Sequence, residues 1–172
     1  MRKILLGVTG SIAAYKVCEL VRLFVKNGDE VSVVMTPSAC AFVQPLTFQT
    51  LSRRPVGVEP FAAPAEWRPG HISLAEWADV ALVAPATANT IAKLRGGIAD
   101  NLLTSVLLAT RAPIVLAPAM NDGMWENAAT QENLATLRAR GVKVIEPDEG
   151  ELACGTRGKG RMPSPEKIFA AV

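Results

Sequence analysis

The stretch "KILLGVTGSIAAYKVCELVRLFVKNGDEVSVVM", residues 3–35, decides the fold. It opens on "KILLGV" and closes on "EVSVVM", two nearly continuous apolar runs of strand length, as expected of strands covered on both faces. Between them Ala13, Val17, Leu20, Val21 and Phe24 recur at three- and four-residue spacings, which predicts a helix over about 12–27 that stops at Asn27 and Gly28. Strand, helix and strand in succession make a βαβ unit, whose strands are parallel and whose crossover is right-handed.

The same alternation continues. "DVALVAPA" (79–86), "PIVLAPA" (113–119) and "VKVIEP" (142–147) read as strands, and helical patterns fall at about 89–94, 99–110 and 128–140. The expected fold is therefore α/β with a doubly wound parallel sheet. With 172 residues, of which 49% are hydrophobic and 20% charged, the chain suits a single domain over 1–172 with a sizeable core. Two segments depart from the alternation. "PVGVEPFAAPAEWRPG" (55–70) carries four prolines and reads as a loop or flap. "GELACGTRGKGRMPSP" (150–165) is glycine-rich and is expected to be a loop, ordered only by folding down onto the rest.

Composition narrows the function. Lys plus Arg number 18 against 16 for Asp plus Glu, and a net charge of +2 argues for neither nucleic acid nor an acidic membrane surface, leaving small molecules as the expected partners. Three scattered cysteines and one histidine speak against a zinc or other metal site. The apolar run after Met1 is too short for a signal peptide and no segment has the length of a membrane span, so a reducing cytoplasm is the expected compartment.

Open α/β sheets bind ligands beyond the carboxyl ends of their strands, and the unusual residues collect there. After the first strand, Gly7 and Gly10 permit a tight turn, Ser11 can cap a helix, and free backbone amides there attract a phosphate. A full dinucleotide fingerprint is absent, because Ala13 stands in place of its third glycine. The second strand ends in "MTPSA", with hydroxyls at Thr36 and Ser38 where a nicotinamide site has an acid. "PATANT" adds Thr87, Asn89 and Thr90 at the third strand's end. These ends favour a mononucleotide over a dinucleotide, although Gly10 and Ser11 alone would serve equally as a turn and a cap.

Four further residues could carry chemistry. His71 is the only imidazole, and so the only side chain whose ordinary pKa suits proton transfer near neutrality; a surface residue or cap is its plainer reading. Asn121, in "PAMNDGMW" (118–125), can donate to and accept from a substrate carboxylate or amide, or simply cap a helix. Met124 is adaptable filler or pocket wall. Cys154 lies among Arg157, Lys159 and Arg161, cations that favour its thiolate, whereas Cys18 and Cys40 fall in helical stretches and read as buried filler.

Taken in order, "GSIAAYK", "MTPSA", "HISLAEWAD", "PATANTIAKLRGGIADNLL", "PAMNDGMW" and "ACGTRGKGRM" resemble the homo-oligomeric flavin-containing cysteine decarboxylases over nearly the whole chain. Within that family the resemblance is strongest to the branch of coenzyme A biosynthesis. It implies a Rossmann-like, flavodoxin-like three-layer αβα protomer that self-associates as a trimer or dodecamer, with each site completed at a subunit interface. It implies FMN held by Gly10, Ser11, Ile12, Thr36, Ser38, Thr87, Ala88, Asn89, Thr90 and Ala119. The implied reaction converts 4'-phosphopantothenoylcysteine to 4'-phosphopantetheine: flavin oxidises the cysteinyl thiol to a thioaldehyde, the carboxylate leaves as carbon dioxide, and the aminoenethiol is reduced again.

By the same resemblance His71 is the acid/base, Cys154 the final proton donor, and Asn121 the clamp on the substrate carboxylate. Met124, Glu151, Leu152, Ala153 and Arg161 complete the substrate pocket, the last four on a flap over about 151–162. Many relatives of this kind are fused to phosphopantothenate–cysteine ligase, which makes that enzyme an expected fused or cooperating partner. Three rivals stay open: a flavin prenyltransferase, which has no need of Asn121 or Cys154; a peptidyl-cysteine decarboxylase; and a non-catalytic regulatory homologue.

Overall fold

The computed structural model describes residues 1–59, 70–151, 153, 155 and 157–172. Five parallel strands, β1 (Lys3–Val8), β2 (Glu30–Met35), β3 (Val80–Ala86), β4 (Ile114–Pro118) and β5 (Lys143–Val144), form one sheet in the order β2-β1-β3-β4-β5. Leu6 pairs with Val33 on one side and Leu82 on the other, so β1 is an interior strand. The predicted fifth strand shrinks to two residues, because only Lys143 and Val144 pair with β4.

Strand pleating sends alternate residues to opposite faces, and both faces are covered. Ile4, Leu6, Val8, Val31 and Val33 pack with Val17, Leu20, Val21 and Phe24 of α1 (Val17–Lys26) and with Ile168 of α8 (Pro165–Ala171). Leu5, Val34, Ala81 and Val83 pack on the opposite face with Ile91 of α4 (Ala88–Gly96), with Leu103 and Val106 of α5 (Leu102–Ala109), and with Leu134 and Leu137 of α7 (Ala128–Ala139). This is why the strand sequences are continuous rather than alternating. Each such buried side chain contributes roughly 1.5–3 kcal/mol. Gly7 allows α5 close approach: a Cβ there would lie 2.6 Å from Leu103 Cδ1.

The predicted helix over 12–27 divides into a 3-10 turn (Ile12–Lys16) and α1, which ends at Asn27 and at Gly28 with φ of +85°. The helix expected from residue 99 begins only at Leu102, where Asn101 and Thr104 form a reciprocal cap. Two helices have no counterpart in the sequence reading, α2 (Pro45–Ser52) and α8 (Pro165–Ala171), and α6 (Asp122–Glu126) is foreshadowed only by its Asn121 cap. All are short, so their periodicity is weak; α2 and α8 are marked by a proline in the first turn, and α8 also by the Ser164 cap. Gly57 hydrogen-bonds along the free edge of β2, so the proline-rich segment starts as an edge cover; residues 60–69 lie outside the described ones.

The expected loop at 150–165 is corrected. It forms an antiparallel hairpin of β6 (Asp148–Glu151) and β7 (Arg157–Arg161), pairing Asp148 with Arg161 and Glu151 with Arg157. Gly158 and Gly160 occupy one face of β7, where a Cβ would meet Asp122 Cβ at 2.6 Å or run into the Met120 carbonyl oxygen. These glycines admit close packing; glycine content alone suggested only looseness. Lys159 bonds Glu146 at 2.8 Å and lies over the Trp125 ring, Arg138 takes the other Glu146 oxygen, and Lys167 holds Asp148. The two partners of Glu146 keep its carboxyl below the usual range, Lys159 foremost.

Candidate active site

The chain runs from β1 outward to β2 and returns to the other side of β1 as β3, which leaves a crevice between the carboxyl ends of β1 and β3. Thr9, 1% exposed, closes its floor: its hydroxyl donates to the Pro85 carbonyl at 2.6 Å and accepts from the Thr87 amide at 3.1 Å. Gly10 follows without room for a side chain, since a Cβ would lie 2.5 Å from Ser38 Cβ. The turns after β1 and β2 are therefore in contact, and they form a cradle that any larger residue at position 10 would fill.

Several predicted ligand hydroxyls also serve the fold. Ser11 accepts from Ala13 N at 3.3 Å, Thr36 from Ala39 N at 3.3 Å, and Thr87 from Thr90 N at 3.3 Å. These capping bonds fix the conformation of the three turns. The side chains of Ser38 and Asn89, both exposed, make no hydrogen bond among the described residues and stay open to a ligand.

Two cavities meet in this crevice. One, about 600 Å³, is lined by Gly10, Ser11, Thr36, Ser38 and the Thr87–Thr90 turn, with Met124 at its edge. The other, about 550 Å³, is lined by Ile12, Lys16, Asn121, Glu151, Ala153 and Arg161. Ser11, Ala119 and Met120 belong to both, so they form the seam of one bipartite cleft. Each half has the size of a small-molecule site. Ile12 and Met124, large apolar side chains about half exposed, are displayed in it rather than buried.

The "PAMN" turn is tied on both sides. Ala119 N donates to Ala86 O at 3.1 Å and Met120 N to Gly160 O at 3.0 Å, so β3 and the hairpin together position it. Asn121 does cap α6, accepting from Gly123 N at 2.9 Å, and it lines the second cavity as well. Both readings of that residue hold.

Of the predicted site residues, the described ones are brought to the cleft with one exception. His71 lies in α3 (Gly70–Trp77), which packs on α5, and it lines neither half of the cleft among the described residues. Leu152 and Cys154 lie outside the described residues. Burial pushes the thiols of Cys18 and Cys40 up, Glu59 adding to the shift at Cys40, which suits unreactive filler.

The sequence reading missed Lys16 and the Lys93–Asp100 pair (2.6 Å) at the edge of the larger cavity. That ion pair holds the Asp100 carboxyl below its usual range. The four-residue spacing of Lys16 to Ile12 would mark a shared face in an α-helix, but residues 12–16 form a 3-10 turn, so no local pattern pointed to Lys16. Among the described residues, no cluster of three metal-ligating side chains gathers, and no helix is long and apolar enough to cross a membrane.

A parallel sheet in this order, with a small cradle and polar strand ends at its switch point, defines the flavodoxin-like class of open α/β proteins. The chain belongs to the Flavoprotein family, whose model matches residues 1–172. It is 51% identical over 171 residues to the coenzyme A biosynthesis bifunctional protein CoaBC of Haemophilus influenzae, an alignment covering 99% of this chain and 43% of that protein. The chain thus spans about two-fifths of the length of the curated relatives it matches.

Among solved structures it is similar to a PPC decarboxylase cysteine-to-serine mutant complexed with pantothenoylaminoethenethiol, with 34% identity, a TM-score of 0.89 and coverage of 99% of this chain and 95% of the other. The FMN binding protein AtHal3 matches with 35% identity, a TM-score of 0.86 and coverage of 99% and 94%. The peptidyl-cysteine decarboxylase EpiD matches with 30% identity, a TM-score of 0.83 and coverage of 98% and 96%.

Proposed function

We propose that this chain is an FMN-dependent carboxy-lyase that converts 4'-phosphopantothenoylcysteine to 4'-phosphopantetheine and carbon dioxide in coenzyme A biosynthesis. The observation that carries the reading is the bipartite cleft, two ligand-sized cavities joined at Ser11, Ala119 and Met120. A redox cofactor and a substrate have to touch, and a shared wall of small and adaptable side chains lets them. Likeness over nearly the whole chain to a PPC decarboxylase and to an FMN binding protein supports the same reading.

The larger cavity fits FMN. The Gly10 cradle against Ser38 has the size and the free amides for a phosphate, and the Thr87–Thr90 turn offers polar groups to the edge of a ring. Bound flavin supplies reversible two-electron chemistry that no side chain has. Asn121 is suited to hold the substrate carboxylate through its amide, facing the hairpin that supplies Glu151, Ala153 and Arg161. The net reaction replaces a carboxylate by a proton, and in this reading Cys154 delivers that proton. In this reading, packing of the substrate into the cleft keeps its reactive thiocarbonyl away from water.

His71 stands apart from its own chain's cleft, which supports the reading that it serves the cleft of a neighbouring copy in a trimer or dodecamer. Ile12, Phe42, Leu46, Ile98 and Leu108 are exposed apolar side chains available to such contacts. A cytoplasmic location and a fused or cooperating phosphopantothenate–cysteine ligase complete the reading.

The test is the visible spectrum of the purified protein, followed by mass analysis after incubation with 4'-phosphopantothenoylcysteine and, in parallel, with a peptide ending in cysteine. A yellow protein that releases carbon dioxide and 4'-phosphopantetheine supports the proposal. Turnover of the peptide alone moves the substrate to that of a peptidyl-cysteine decarboxylase, whose fold the chain shares. A flavin-bound protein inert to both favours a prenyltransferase or a regulatory role.

A further inference from the structure

The smaller cavity carries two cations that form no ion pair among the described residues. Lys16 and Arg161 both line it, and neither makes an ion pair or hydrogen bond with an acidic side chain among the described residues. This sets them apart from Lys93, Arg138, Lys159 and Lys167, each of which holds a carboxylate. Two acids are near. Asp148 favours the Lys16 ammonium and sits opposite Arg161 in the hairpin register, but its carboxylate is bonded to Lys167; Glu151 lines the cavity, opposite Arg157 in the same register. The guanidinium of Arg161 lies over Gly150, where a Cβ would come within 3.3 Å of Nη1, so glycine at that position leaves it room. Burial foremost, and then the nearby charge of Arg161, push the Lys16 ammonium below its ordinary pKa, while Asp148 acts in the opposite sense, so the two cations that line the cavity also feel each other.

We propose that Lys16 and Arg161 together seat a phosphate monoester, the 4'-phosphate of the substrate, while Asn121 holds its carboxylate. The inference rests on the function proposed above. A phosphate monoester carries a charge near −2 at neutral pH, which two adjacent cations match and a peptide carboxylate would not. Arg supplies a planar fork for phosphate oxygens and Lys a mobile point charge. The other phosphate within reach, that of FMN, is served in the other cavity by the Gly10 cradle, where Lys93 is already neutralised by Asp100. The pair would also make this cleft selective for a phosphorylated arm over a peptide.

The test compares binding of 4'-phosphopantetheine and pantetheine to the flavin-loaded protein by calorimetry, and turnover of 4'-phosphopantothenoylcysteine and pantothenoylcysteine. The wild type should prefer the phosphorylated member of each pair by about tenfold or more, as charge-assisted contacts predict. Lys16→Gln and Arg161→Gln should each reduce that ratio, the double variant should bring it near one, and Lys16→Arg should keep it; the melting temperature of each variant checks folding. Equal preference in wild type and double variant overturns the proposal. Weakened FMN binding with an unchanged ratio overturns it too, and assigns the cations to the cofactor. If the wild type decarboxylates neither compound yet still discriminates between the two pantetheines through these residues, the phosphate seat stands and the decarboxylase reading falls.

Discussion

Replacing Gly160 by alanine tests whether the hairpin and the "PAMN" turn act as one unit. Gly160 has φ of +149°, a conformation that costs an L-residue about 1–3 kcal/mol. Its new Cβ would run into the Met120 carbonyl oxygen and approach the Met120 and Asn121 carbonyl carbons at 3.3 and 3.4 Å. These are backbone atoms, so no rotamer change relieves the contact. Moving β7 away breaks the Met120 N to Gly160 O bond of 3.0 Å, worth about 1 kcal/mol more. The sum, roughly 2–4 kcal/mol, exceeds what a lone two-stranded hairpin holds, so the hairpin should lift while the five-stranded core stays folded.

Amide hydrogen exchange should show lost protection at Met120 and over 157–161 with the sheet unchanged, and kcat/KM should fall at least tenfold while FMN still binds. Gly150→Ala is the control for stability and exchange: its Cβ meets only the Arg161 side chain, Nη1 at 3.3 Å and Cδ at 3.6 Å, and the hairpin's stability should stay within about 0.5 kcal/mol of wild type. Native protection and native kcat/KM in Gly160→Ala would refute the reasoning.

Gly10→Ala should force apart the turns that meet at Ser38 and weaken FMN binding by about tenfold or more; an unchanged flavin fluorescence titration would remove the cradle from the cofactor site. Asp29, held by Arg2 at 2.8 Å and by Asn27, has its carboxyl lowered from 3.8 to about 2. The folded pKa is depressed, so the pair's stabilisation, about 2 kcal/mol at most, is complete above pH about 4 and is lost as pH falls toward 2. Asp29→Asn should flatten that part of the stability profile, and an identical acid midpoint in the variant would contradict it. His71→Asn and Asn121→Asp should each be inactive alone. Co-expressed, they should regain part of the activity if the site is shared between copies, whereas a mixture that stays inert assigns His71 to its own chain's cleft or to no site.

The residues of β1 to β4, and the αβα layering that follows from them, were legible because burial on both faces leaves continuous apolar runs, and helices packed on those faces must repeat at three and four residues. The polar strand ends were legible for a related reason: hydroxyls and amides where a covered sheet has no need of them signal a ligand. The same logic predicted Asn121, and the structure keeps both its cap and its place in the cleft. Short elements escaped because α6 and α8 are too brief to show a period, and the hairpin because β7 carries glycines that strand propensity counts against it.

By itself, then, the sequence determined the longer helices, the strands β1 to β4 and which strand ends are polar, because those depend on local periodicity and on burial of apolar side chains. Only the tertiary structure decided that Gly158 and Gly160 press the hairpin against the "PAMN" turn, that Lys16 and Arg161 face one cavity, and that His71 stands away from it. These are contacts between residues far apart in the chain, and a contact of that kind depends on the crossing of elements in space, which no local pattern encodes.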